Sequence, residues 1–299
     1  MAAEPTRRVP RARSSHLRAL VGGLIAYAGL LEGGIAVALV LGTYALLQRT
    51  PDPALVLVAG CAVALVYLAE RTLARAPEDG FTCPDRVAWL RDHRGLVAGV
   101  AGLLAAGCGL GLLALRPVTL GLGVVLGLAG AGYMLPVGPG GRRLKAHPWL
   151  KPATISGAWA VGAVMMPALE AGVALTGMLL WLVVYRWCLL LPNVLLADWA
   201  DRAGDARAGL QTLATRYPLA VLRGASGLAL GLALAGGALA ASVASDPVRW
   251  WLDLVGYGLM LGVVLGVPEG AGRRLGRLLD VLVAWPLMTA LGAWGMGGL

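Results

Sequence analysis

Three carboxylates at helical spacing mark the middle of this chain. Within ADWADRAGDARAGLQTL, residues 197–213, Asp198, Asp201 and Asp205 stand three and four positions apart, so a helix there brings them to one face. Like charges so placed repel unless a cation or basic groups lie between them. Two arrangements meet that need. The aspartates could bind Mg2+, which takes carboxylate oxygens and commonly bridges to phosphate. They could also pair locally, Asp198 with Arg202 and Asp201 or Asp205 with Arg207.

A second acidic stretch, YLAERTLARAPEDGFTCPDR at 67–86, sets Glu70 and Glu78 eight apart with Ala74 midway. On a helix they share roughly one face, although Pro77 interrupts the pattern and Arg71 and Arg75 offer simple neutralisation. Two such clusters facing one another are what a two-metal diphosphate site requires. Between them, GRRLKAHPWLK at 141–151 supplies Arg142, Arg143, Lys145 and Lys151. These suit diphosphate oxygens as charge develops, or they set membrane topology; Arg142 is assigned to topology.

The scaffold that holds these residues is set by composition. Of 299 residues, 58% are hydrophobic and 14% charged, against about 25% charged in a soluble domain. That predicts an all-α, polytopic membrane bundle. Nine apolar segments can be drawn, at 19–46, 53–69, 95–115, 117–136, 152–169, 171–192, 218–243, 250–268 and 279–297. Residues 1–18 form a basic tail feeding a retained first helix rather than a cleaved signal, and 19–299 form a single transmembrane domain. Small-residue runs such as GLGVVLGLAGAG at 121–132 permit the close helix packing that lipid favours.

The net charge of +9 is dispersed between apolar runs, which argues for lipid-facing anchors and against nucleic acid. Twenty of the 25 Lys and Arg residues fall in the tail and the even-numbered loops. The positive-inside rule then predicts a cytoplasmic N-terminus, an external C-terminus and a plasma or inner membrane location. The long polar loops at 70–94 and 193–217 hold eight of sixteen acidic residues on the cytoplasmic side, so chemistry is expected there. Cys61, Cys83, Cys108 and Cys188 have no ligand-like spacing, nor do His16, His93 and His147.

The pattern Asn193-x4-Asp198-x2-Asp201-x3-Asp205, followed by Gly209 and Thr212-Leu213, resembles the second aspartate-rich motif of the UbiA superfamily of intramembrane prenyltransferases. Tyr133, Pro136, the RLK at 143–145, Lys151 and Trp159 resemble that family's central segment, and the helix count agrees. The resemblance implies an apolar cavity capped by cytosolic loops, in which two acidic motifs bind Mg2+ that holds a polyprenyl diphosphate. Ionisation of the allylic C–O bond would give a carbocation that an aromatic or other lipophilic acceptor attacks. It further implies metal and catalytic roles for Asp198, Asp201, Asp205, Glu70 and Glu78. Substrate contacts fall to Arg71, Arg86, Tyr133, Arg143, Lys145, Lys151, Asn193 and Thr212.

The first motif departs from the family's Asn-Asp-x-x-Asp-x-x-x-Asp. Here Glu70, Arg71, Ala74 and Glu78 occupy the corresponding positions, so Arg71 could replace one metal by contacting diphosphate directly. Glu70-Arg71 and Pro84-Asp85-Arg86 also resemble poorly characterised UbiA-like members with DR and P-x-R at these places. The alternatives to prenyl transfer are a non-catalytic isoprenoid- or lipid-binding protein and, behind it, a transporter. Glu32, an intramembrane acid, is expected to line the cavity or to pair with Arg186 or Arg223. Glu170 and Asp253 are placed near the outer face, with no role of their own.

Overall fold

The computed structural model describes residues 12–73, 80, 83–134, 147–207, 209 and 211–297. Thirteen helices are described among them: α1 Ala12–Tyr27, α2 Leu30–Leu47, α3 Pro53–Thr72, α4 Pro84–Asp92, α5 Arg94–Leu112, α6 Pro117–Met134, α7 Leu150–Glu170, α8 Gly177–Arg207, α9 Leu213–Arg216, α10 Leu219–Val243, α11 Pro247–Gly266, α12 Arg273–Val283 and α13 Pro286–Gly295. Eight spans among the described residues are long and apolar enough to cross a membrane, the last formed by α12 and α13 together over Arg274–Gly295. The chain is an all-α, multi-pass integral membrane bundle. The segment predicted at 117–136 is a shorter apolar helix, α6.

Three of the drawn segments differ from the helices. The first is two helices, because Gly29 adopts φ 80 between α1 and α2. A Cβ there would also lie 2.4 Å from the Ala64 carbonyl oxygen of α3, so only glycine serves both the turn and the contact. The sixth segment begins later and runs much further than drawn. α8 continues for 31 residues to Arg207, so most of the expected loop at 193–217 is helix. Polarity had suggested a loop, but burial of Leu195, Leu196, Asp198 and Trp199 shows that the added turns have a packed side. The last span starts earlier, at α12, and breaks before Pro286, which stands at the N1 position of α13 where a missing N–H costs nothing.

α2 and α8 form the middle of the bundle; 67% and 56% of their apolar stretches are buried, against 11% for α5. α8 packs on α7, α10, α12 and the short α9, while α2 packs on α3, α7 and α13. The outer helices leave large apolar side chains exposed, among them Leu103 and Leu110 of α5 and Val124, Val125 and Leu128 of α6. In a bilayer these faces meet acyl chains rather than water, so their exposure is the expected complement of the core.

One fully buried ion pair locks three helices. Arg186 of α8 donates Nη1–H to Asp253 Oδ2 of α11 at 2.7 Å, and both side chains are wholly buried. Tyr185 Oη–H donates to the same oxygen at 2.9 Å, and Thr289 of α13 donates to Asp253 Oδ1 at 2.9 Å. The expectation that Asp253 has no role of its own is therefore corrected: it is the centre of this cluster. Arg186 also lies nearer the Gly177 end of α8 than the Arg207 end, and its partner is Asp253 rather than Glu32.

Candidate functional site

One side of each of several helices turns inward around a chamber of about 1630 Å³. Along α3 the lining residues are Leu55, Val58, Ala59, Ala62, Val63 and Val66, then Tyr67, Glu70 and Arg71 at the end. That stripe follows helical periodicity, and it passes from apolar to charged in one direction. α7 repeats the order in reverse, from Lys151 through Thr154, Ile155, Ala158 and Trp159 to Gly162 and Met166. The chamber therefore has an apolar depth and a charged end. Along α6 it extends from Thr119 to Tyr133, about 21 Å at 1.5 Å per residue.

The charged end gathers most of the residues expected from sequence. Glu70, Arg71, Arg86, Tyr133, Lys151, Asp201, Asp205 and Thr212 all line the chamber, although they come from five helices and the turn before α9. Asp198 sits beside it, buried. Asn193 stands deeper on α8 and donates Nδ2–H to Asp280 Oδ1 of α12 at 3.1 Å. Glu78, Arg143 and Lys145 lie outside the described residues.

The aspartate helix answers the charge problem with a lysine. Lys151 Nζ donates to Asp198 Oδ1 at 2.5 Å, and the charges of Asp201 and Asp205 act on the same ammonium. This is not the local pairing with Arg202, whose guanidinium instead lies over the Trp199 ring at 3.8 Å. Among the described residues no group of three or more His, Cys, Asp and Glu side chains is placed to hold a metal. Asp198 Oδ1 is thus engaged by Lys151.

Arg71, the cation in the place of an expected aspartate, is itself held. Its guanidinium pairs with the Glu32 carboxylate of α2, donates Nη1–H to the Tyr27 carbonyl at 3.3 Å, and lies 5.5 Å from the Tyr67 ring centroid. Glu32 thus lines the chamber, as expected, but its partner is Arg71 rather than Arg186 or Arg223. Arg223 instead donates to the Leu265 carbonyl.

Sequence reasoning missed Arg277 and Asp280, which also line the chamber. Arg277 precedes the segment drawn from 279 and counts there only as a topology charge, while Asp280 falls inside that segment as a single acid among apolar residues. The signal was present, because RRLGRLLDVLV over α12 is strongly amphipathic. Leu279, Leu282 and Val283 enter the core while Arg277 and Asp280 face the chamber.

Fold and site together define a polytopic helical membrane protein with an apolar chamber that carries charged residues at one end. No protein-family model matches the chain, and no curated protein matches it in sequence.

Proposed function

We propose that this protein is a UbiA-like intramembrane prenyltransferase, which moves a prenyl group from a polyprenyl diphosphate to an aromatic or other lipophilic acceptor. The observation that carries the reading is the polarity of the chamber, apolar along its depth and charged at one end. A polyprenyl diphosphate has the same polarity. The volume of about 1630 Å³ exceeds the roughly 300–1,000 Å³ of a pocket for one small ligand, so two substrates can share it. In this reading α6 is the ninth span, the N-terminus is cytoplasmic, the C-terminus is external, and the charged end faces the cytosol of a plasma or inner membrane.

The chemistry assigned to the chain is charge stabilisation and exclusion of water. The allylic C–O bond breaks and its electron pair leaves on the diphosphate. Lys151, Arg71, Arg86 and Arg277 meet the growing negative charge. The allylic cation stays among apolar walls and the faces of Tyr67 and Trp159, which favour positive charge, until the acceptor attacks and loses a proton. Mg2+ enters through the resemblance; Asp201, Asp205, Glu70 and a released Asp198 are the residues that would hold it, with Glu78 beyond the described set.

A second reading, non-catalytic binding of an isoprenoid lipid, is favoured by one observation: Arg71 and Lys151 are already engaged by Glu32 and Asp198. The test uses purified protein in lipid nanodiscs with geranylgeranyl diphosphate, with and without MgCl2. A raised Tm, together with diphosphate release when alkylphenol and hydroquinone acceptors are added, is the expected result. A raised Tm without release supports the binding reading, and an unchanged Tm overturns both.

A further inference from the structure

Where the chamber turns from charged to apolar, its wall forms two layers. The outer layer carries cations: Arg71 on α3, Lys151 on α7 and Arg277 on α12. One helical turn further in, the same three helices present Tyr67, Ile155 and Asp280, about 4.5–6 Å deeper at 1.5 Å per residue. The inner residues are close neighbours. Together with Glu32 and Trp159, all three also border one small space of about 60 Å³ beside the chamber. At about 30 Å³ for each water, that space has room for about two.

This layering fixes where bonds change. A diphosphate that meets the outer cations puts the allylic carbon attached to it in the inner layer, beside the faces of Tyr67 and Trp159. The acceptor attacks there, and there it sheds a proton. A base in that layer needs an ionised carboxylate with an oxygen left open to the chamber.

Two carboxylates stand in the layer, and they differ. Both oxygens of Glu32 accept from the Arg71 guanidinium. Asp280 Oδ1 accepts Nδ2–H of Asn193 at 3.1 Å, which orients the group. Among the described residues nothing donates to its Oδ2. The charges of Glu32 and Arg71 both act on Asp280, so a cation supports its ionised form without occupying that oxygen.

We propose that Asp280 is the base of the transfer, receiving the proton that an aromatic acceptor loses. The inference rests on the prenyltransferase reading and adds the residue that completes the reaction. As a ring carbon bonds to the allylic carbon, the ring supplies the electron pair and takes on the positive charge. The C–H bond at that ring carbon then breaks, its pair returns to the ring, and the proton passes to Asp280 Oδ2. The adjoining space borders Asp280 and gives water a place to carry the proton onward.

The test supplies the protein in nanodiscs with geranylgeranyl diphosphate, MgCl2 and hydroquinone, and measures prenylated product and released diphosphate together. Asp280→Asn keeps the shape of the side chain and should lower product formation about a hundredfold. The Tm increment from geranylgeranyl diphosphate should persist in that variant. Ring-deuterated hydroquinone supplies the second readout. The wild type should use it as fast as ordinary hydroquinone, whereas Asp280→Asn should use it more slowly, because C–H cleavage has become the slow step. Asp280→Ser, which also lacks the carboxylate, should behave in the same way and serves if the first variant does not fold. Product formation close to the wild-type rate in a folded variant, or no isotope effect there, overturns the proposal and leaves the prenyltransferase reading standing. Loss of the Tm increment makes Asp280 a binding residue and likewise overturns it. No diphosphate release by the wild type overturns the prenyltransferase reading, and this inference with it.

Discussion

Lys151 reaches from the start of α7 to Asp198 on α8, Nζ to Oδ1 at 2.5 Å, and so places a fixed cation where three aspartates share a helix face. The pair is mostly buried, with side-chain exposures of 24% and 11%. Removing one partner from such a pair strands a charge in a poorly solvated place, which costs about 3–5 kcal/mol when burial is complete. Partial exposure puts this pair at the lower end.

Lys151→Met and Asp198→Leu should therefore each lose about 2–3 kcal/mol of stability, and the double variant should lose less than the sum of the two. Denaturation in detergent through the full double-mutant cycle measures this. Additive losses would mean that the pair contributes nothing as a pair.

Arg186 and Asp253 predict a steeper penalty, since both are fully buried. Arg186→Met, which removes the cation and leaves Asp253 only the Tyr185 and Thr289 hydroxyls, should cost about 3–5 kcal/mol. Thr289→Val removes a single hydrogen bond to Asp253 and should cost only about 0.6 kcal/mol, the average for such bonds in membranes. Unfolding of both variants in the same detergent checks the ratio.

Gly256 gives a packing prediction. A Cβ at this position of α11 would lie 2.3 Å from Cδ1 of Trp285, whose indole N–H donates to the Leu252 carbonyl at 2.8 Å. Gly256→Ala should lose about 1–3 kcal/mol through overpacking. Gly258, two positions further along α11 with open space around it, should accept alanine with little change. Melting curves of the two variants should separate clearly.

Chamber depth can be read by plugging it at two levels. Gly123 and Gly130 both line it, seven residues apart on α6, about 10 Å along the helix. Gly123→Phe, toward the apolar depth, should abolish the Tm increment from geranylgeranyl diphosphate and spare that from geranyl diphosphate. Gly130→Phe, nearer the charged end, should abolish both. Equal effects of the two plugs would show that ligands do not extend along α6.

Much of the architecture was legible from residue order alone. Apolar run length and the period of hydrophobic residues are local sums, so the membrane class, the approximate positions of the spans and the shared face of Asp198, Asp201 and Asp205 needed no tertiary information. The same local signals misled where packing prevailed over polarity. Asp198 and Asp205 made 193–207 read as loop, yet the helix continues because one side of it is buried. The Arg-rich start of α12 read as topology until its apolar side met the core and its polar side met the chamber.

Which charge meets which was beyond the sequence's reach. Arg71 and Glu32 are 39 residues apart, Lys151 and Asp198 are 47 apart, and Arg186 and Asp253 are 67 apart. Each ion was visible in the sequence and each had nearer candidate partners. In a medium that solvates charge poorly the partner is the group that packing brings within hydrogen-bond reach, and that distance is a property of how helices cross rather than of how residues follow one another.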